Sequence, residues 1–283
     1  LQDSFRDQPE RLLHHFNQYS QQWNRFSPLD PFPYSGDFMK STANGIAVSD
    51  LHLFSSRSEG AERFDSLIRP RLKSIDALVF NGDIFDFRWA CRPHSETIPE
   101  AIDWVSQLRA EHPDLKIFYV LGNHDCVVEF TNQLQSVPDI SIHPHWLKLG
   151  HNLFLHGDAA NFRMDQVRFD RFRSEWEKDQ PKKRRDARLY DVSDRIQLSY
   201  LTHAVWFAGD IAIRRVSWHL DRVVPHWRED IKHCFFGHTH MPFQNRTIGD
   251  VKFHNTGSGI KRMGFQPVDF TWSSDTQYSS NEQ

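Results

Sequence analysis

The six residues LGNHDC at 121–126 close the apolar run Ile117–Leu121 and then set a glycine, an amide, an imidazole and a carboxylate in consecutive positions. A polar turn after a buried strand is one reading of such a stretch, because Asn and Asp bond readily to nearby backbone. The other is that Asn123, His124 and Asp125 perform chemistry. The rest of the chain separates the two, since a site needs residues from more than one loop.

Working outward, short runs rich in β-branched and aromatic residues recur at Ile46–Val48, Ala77–Phe80, Asn152–Leu155, His233–Phe236 and Val251–Phe253. Helix-like stretches stand between several of them, over Gly60–Ser74 (interrupted at Pro70) and Ile98–Glu111. Strands alternating with helices predict an α/β domain. Each of five strands is then followed by groups that can hold a metal. Asp50 and His52 follow the first, Asp83 and Asp86 the second, and Asn123, His124 and Asp125 the third. His156 and Asp158 follow the fourth, and His238 and His240 the fifth. Open α/β sheets build their sites at such strand ends. One of these loops alone is ordinary turn chemistry; five in register are not.

The residue types define the chemistry. Two divalent ions about 3.5–4 Å apart need a carboxylate able to bridge them, neutral imidazoles and a further oxygen donor. Mixed nitrogen and oxygen donors suit manganese, iron or zinc better than calcium. Such a pair clamps a phosphoryl group and acidifies water to a hydroxide nucleophile, so hydrolysis of a phosphate ester is the expected reaction.

In order, DLH at 50–52, GDIFD at 82–86, GNHD at 122–125, His156 and GHTH at 237–240 resemble the signature of the calcineurin-like metallophosphoesterases. The resemblance implies a four-layered α/β sandwich, two mixed β-sheets flanked by helices. It implies two metal ions, Mn2+ first and Fe or Zn as options. Asp50, His52 and His240 would hold one ion, and Asn123, His156 and His238 the other, with Asp83 as the bridge. His124 would be the general acid or the phosphate-orienting imidazole, and Asp125 the partner that fixes it. The reverse assignment, His124 as ligand and Asn123 as turn former, stays open. Asp86 would stand behind the ligands or serve its turn alone.

Between residues 160 and 231 the strand pattern gives way to charged stretches of helical periodicity, read as an insertion. A helical insertion before the GHTH loop is similar to that of the UDP-2,3-diacylglucosamine pyrophosphohydrolases, although His124 stands where that group usually carries arginine. Phe162, Phe169, Phe172, Trp176, Trp206, Phe207 and Trp218 would either line an acyl-chain cleft or pack helices. Lys182 to Arg185 would meet a phosphate, an anionic membrane surface or only solvent. A phosphodiester or pyrophosphate substrate, small or nucleotide-linked and with a lipid as an option, is therefore expected. Hydrolysis of soluble nucleotides or other small phosphate esters is the alternative, and a non-catalytic scaffold of the same fold the rival from another class. Protein phosphatases fit less well, because Asp86-Phe87-Arg88 replaces their D-R-G and Asp125 their glutamate.

The 283 residues suffice for one large domain or two small ones. A net charge of −3 gives no general reason to expect a nucleic-acid partner. Cys91, Cys126 and Cys234 are too scattered for a disulfide framework and suit a reducing compartment. No signal-peptide core stands in residues 1–16, and no apolar run reaches the ~18 residues of a membrane span. A mainly cytoplasmic setting is expected, with peripheral contact at the inner face of the membrane as an option. Residues 1–43 read as an extension with one helical stretch (Leu12, Leu13, Phe16, Tyr19), residues 44–270 as the catalytic domain and 271–283 as a polar tail.

Overall fold

The structure, a computed structural model, describes residues 42–183, 207, 210–273 and 279–280. The helical stretch expected at 12–19, Trp206, Arg184 and Arg185 lie outside the described residues. The strands β1 (Thr42–Val48), β2 (Ala77–Asn81), β3 (Lys116–Val120) and β4 (Ile140–His143) run parallel. With β10 (Val268–Ser273) antiparallel on β1 they form one sheet in the order β10-β1-β2-β3-β4.

The second sheet has β5 (Trp146–Leu149), β6 (Asn152–Leu155), β7 (His233–Phe236), β8 (Phe243–Ile248), β9 (Val251–Asn255) and β11 (Ser279–Ser280). Its order is β11-β5-β6-β7-β9-β8, with parallel pairs only at β6-β7 and β7-β9. Both sheets are thus mixed, as expected.

Side-chain alternation along the strands builds the layers, because successive residues face opposite sides of a sheet. Ile46 and Val48, Leu78 and Phe80, and Ile117 and Tyr119 face the first outer core. There they meet Phe64 of α1 (Gly60–Leu67), Ile98, Val105 and Leu108 of α2 (His94–Glu111), and Phe130 of α3 (Val128–Leu134). The residues between them, Ala47, Val79, Phe118 and Val120, face inward and meet Phe154, Phe235 and Phe270 in the core between the sheets. On the far side, Leu153, Leu155, Cys234 and Phe236 take Ile213, Val216 and Leu220 of α5 (Ile211–Val223) and Trp227 of α6 (Trp227–Asp230). Helices, sheet, sheet and helices make four layers. Strands buried on both faces read as unbroken apolar runs, which is why the sequence exposes them.

Some boundaries differ from the expectation. Thr42 and Ala43 belong to β1 and pair with Ser273 and Trp272 of β10, so the sheet takes in both ends assigned to the extension and the tail. Their polar, alternating character is that of an edge, where one face meets solvent. Trp272 is nonetheless buried between the sheets. Within the insertion, α4 (Gln166–Trp176) and α5 are the helices of more than two turns among the described residues. No described helix is long and apolar enough to cross a membrane.

Phe154 tests the layering. Its ring is fully buried, stacked 4.6 Å from Phe235 and edge-on 4.8 Å from Phe270. Phe154→Ala should cost about 3–5 kcal/mol in chemical denaturation of the metal-free protein. A loss below about 1 kcal/mol, as at an exposed site, would contradict an inter-sheet core at this position.

Candidate metal centre

The parallel strands β1, β2, β3, β6 and β7 all deliver their following loops to one edge of the sandwich. Gly237 lies so close to the first loop that a Cβ there would stand 2.1 Å from Asp50 Oδ2. A Cβ on Gly122 would stand 2.1 Å from Asp83 Oδ1. Glycine at these two positions is what lets loops from different strands close on one point.

The backbone bends to aim the side chains. Asp50, His52, Asp83, His238 and His240 all have φ between 51° and 64°, a left-handed conformation that costs a non-glycine residue on the order of 1–3 kcal/mol. Cross-loop hydrogen bonds hold them there. The amides of Asp50 and His52 donate to the carbonyls of Gly82 and Asp83 at 2.9 and 3.0 Å. The amide of His238 donates to both oxygens of Asp50 at 3.0 Å. Five strained residues in one cleft mark a place where function, not folding economy, selects the conformation.

The side chains fall into two donor groups. In the first, His240 Nε2 lies 3.3 Å from Asp50 Oδ1 and 3.1 Å from His52 Nε2. In the second, His156 Nε2 lies 3.1 Å from Asp83 Oδ2, 3.3 Å from Asn123 Oδ1 and 3.3 Å from His238 Nδ1. Each facing pair of imidazole nitrogens is bridged by one N–H···N hydrogen bond or, with both nitrogens unprotonated, turns two lone pairs to the same point. A cation between them satisfies both. Asp50, His52 and His240 can hold one ion, and so can Asp83, His156 and His238. The structure thus brings together every residue expected as a metal ligand.

His124 stands beside these groups with its Nδ1 2.9 Å from Asp86 Oδ1. The other oxygen of Asp86 lies 3.4 Å from His52 Nδ1. One carboxylate therefore bonds His124 and stands beside His52, and Asp86 has a place in the centre that turn formation alone does not explain. The expected pairing of His124 with Asp125 is corrected. Asp125 turns the other way, accepting from the amides of Gly122 and Ile84 at 2.6 and 2.9 Å and from the Tyr119 hydroxyl at 2.7 Å. It ties the ends of β2 and β3 together and leaves His124 to Asp86. Adjacent residues in a bend point apart, so neighbourhood in sequence misleads here.

Charge is concentrated. Asp50, Asp83, Asp86, Asp125 and Asp158 are each at most 2% exposed. Burial lowers the pKa of His124, but Asp86 and Asp83 outweigh it and raise the group to about 9. Burial likewise opposes a proton on His156, yet Asp83 and Asp158 raise it to about 10. His238, desolvated and next to His156, falls to about 3. With its pKa raised in this way, the His156 ring favours its doubly protonated form at neutral pH in the metal-free protein.

The sequence model of the calcineurin-like phosphoesterases matches residues 46–242, well over half of the chain, and the chain belongs to that family. A curated relative, the UDP-2,3-diacylglucosamine hydrolase of Tolumonas auensis, is 26% identical over 130 residues, 45% of this chain and 51% of that protein. The chain spans about half the length of this relative. Among solved structures, the phosphopantetheinyl hydrolase of Mycobacterium tuberculosis aligns with a TM-score of 0.43 at 16% identity, over 77% of this chain and 90% of that one. Vps29 of Chaetomium thermophilum aligns with a TM-score of 0.28 at 12% identity, over 83% and 97%.

A proton held on His156 must leave before its imidazole can bind an ion. Metal uptake at pH 7 should therefore release about one proton from this group, and affinity should weaken as pH falls. Calorimetric titration with Mn2+ in buffers of different ionisation enthalpy checks this. Heats independent of the buffer would contradict it.

Proposed function

We propose that the chain hydrolyses a phosphodiester or pyrophosphate bond with two divalent metal ions, Mn2+ foremost. The observation that carries the reading is the pairing of two donor groups, which hold four imidazoles, with a fifth imidazole, His124, that is braced and lines the same cleft. The ions, when bound, would neutralise charge on the phosphoryl oxygens and lower the pKa of water. Asp50, His52 and His240 are assigned to one ion, Asn123, His156 and His238 to the other, and Asp83 to the bridge. Asn123 suits a ligand role because its amide oxygen adds no charge.

His124 acts as the acid. Its Nδ1–H donates to Asp86, which leaves Nε2 for the cleft, and in the metal-free protein Asp86 and Asp83 raise the ring's pKa to about 9. A protonated imidazole can then donate to the leaving oxygen as negative charge develops there. Asp125 contributes by fixing the loop and not by touching substrate.

The cleft has a volume of about 350 Å³, with Arg57, Trp89, Trp176, Phe207 and Ile260 among its walls. Of the aromatic residues expected to line a cleft, Trp176 packs 4.9 Å from the His124 ring and Phe207 6.4 Å from that of His238. Phe169 is buried in helix packing, and Phe162 is exposed. Lys182 donates its amide to the Arg88 carbonyl at 2.7 Å, which anchors the start of the basic run beside the cleft. A UDP-2,3-diacylglucosamine-like substrate is supported by the name of the matched relative and by these apolar walls. Hydrolysis of soluble nucleotides or other small phosphate esters is the second reading, supported by His124 in place of an arginine and by a cleft at the small end of the ~300–1,000 Å³ range. The proposed organisation is an extension before residue 42, a catalytic domain to Ser273 and the insertion over 160–231. The proposed setting is the cytoplasm.

His124→Ala should retain both ions and lose about 10²–10⁴ in kcat toward bis(p-nitrophenyl) phosphate. Asp83→Asn should lose metal as well as activity. Elemental analysis beside the rate assay separates the two, and loss of both ions from the His124 variant would overturn the division of roles. Release of UMP from UDP-2,3-diacylglucosamine decides between the substrates. Turnover of soluble nucleotides with none of the lipid would assign the insertion to another substrate.

A further inference from the structure

One side chain of the helical insertion binds two of the loops that carry the second donor group. Arg173 of α4 is 4% exposed, and its guanidinium makes contacts on three sides. Nε donates to Asp158 Oδ2 at 2.7 Å, Nη1 to the Gly122 carbonyl at 2.7 Å and Nη2 to the Leu121 carbonyl at 2.8 Å. The two carbonyls belong to the loop that presents Asn123, and Asp158 follows His156 on the loop after β6. A planar fork of five donors can grip both loops at once, which an ammonium group cannot.

Asp158 gives only one oxygen to this contact. Oδ1, on a fully buried carboxylate, has no hydrogen-bond partner. It lies 3.7 Å from His238 Nδ1 and 3.9 Å from His156 Nε2, the two nitrogens that converge with Asp83 and Asn123. A buried anionic oxygen without a donor is costly. Oδ1 is aimed at the point where these nitrogens converge, and positive charge there would relieve that cost.

We infer that Asp158 is a further anionic member of the second metal site and that Arg173 is its positioning residue. This rests on the two-ion reading above. Arg173 sets Asn123 through the Gly122 carbonyl and Asp158 directly, so the insertion, and not the strand ends alone, tunes one of the two ions. The contacts of Asp158 and Arg173 run to His156, His238 and the loop that presents Asn123, so the two sites should respond unequally.

The test is titration of the metal-free full chain with Mn2+, followed by calorimetry and by the spin-coupled signal of a manganese pair in electron paramagnetic resonance. Asp158→Asn should weaken one ion by about 10–100-fold, leave the other at its wild-type affinity and delay the coupled signal to higher Mn2+. The double variant Asp158→Asn/Arg173→Gln strands no buried charge and should show the same selective loss. A purely structural role would weaken both ions equally, and that result would overturn the inference. Two ions at wild-type affinity in the double variant would overturn it as well. A wild-type protein that takes up no ion would instead overturn the two-ion reading itself.

Discussion

Five aspartates, Asp50, Asp83, Asp86, Asp125 and Asp158, are buried at one edge of the sandwich, and the rest of the structure answers to that concentration of charge. An isolated carboxylate in such surroundings would take up a proton. Here imidazoles and the Arg173 guanidinium keep Asp50, Asp83, Asp86 and Asp158 below the ordinary carboxylate range despite burial. Asp125 goes the other way, pushed up by burial and by Asp83. It braces the loop, whereas Asp50 and Asp83 present oxygens to the two donor groups.

The architecture is what makes the concentration possible. Two sheets packed through Phe118, Phe154, Phe235 and Phe270 bring the ends of five parallel strands to one line. Each loop then needs only a few residues to reach the centre, and left-handed backbone at five of them supplies the aim. The strain is tolerable because amides from neighbouring loops hold each bend, as His238 does on Asp50. Scaffold and site are therefore not separable: loosening the inter-sheet core would spread the donors.

Much of this was legible in the sequence. The strands β1, β2, β3, β6, β7 and β9 stand out because continuous apolar runs reflect burial on both faces. β4, β5, β8 and β10 did not, being short or alternating and lying toward the sheet edges. The donor residues were legible because each follows a strand. The partner of His124 was not, since Asp86 comes from a different loop and Asp125 stood closer in sequence. Asp158 carried a signal, as the third residue of HGD, but Arg173 had none that distinguishes it from other charged residues of an amphipathic helix.

The central claim is that the two donor groups hold two ions. Anomalous diffraction from crystals grown with Mn2+ tests it most directly. The account predicts two peaks, one among Asp50, His52 and His240 and one among Asn123, His156 and His238, with Asp83 between them. A single peak, or peaks away from these side chains, would contradict it.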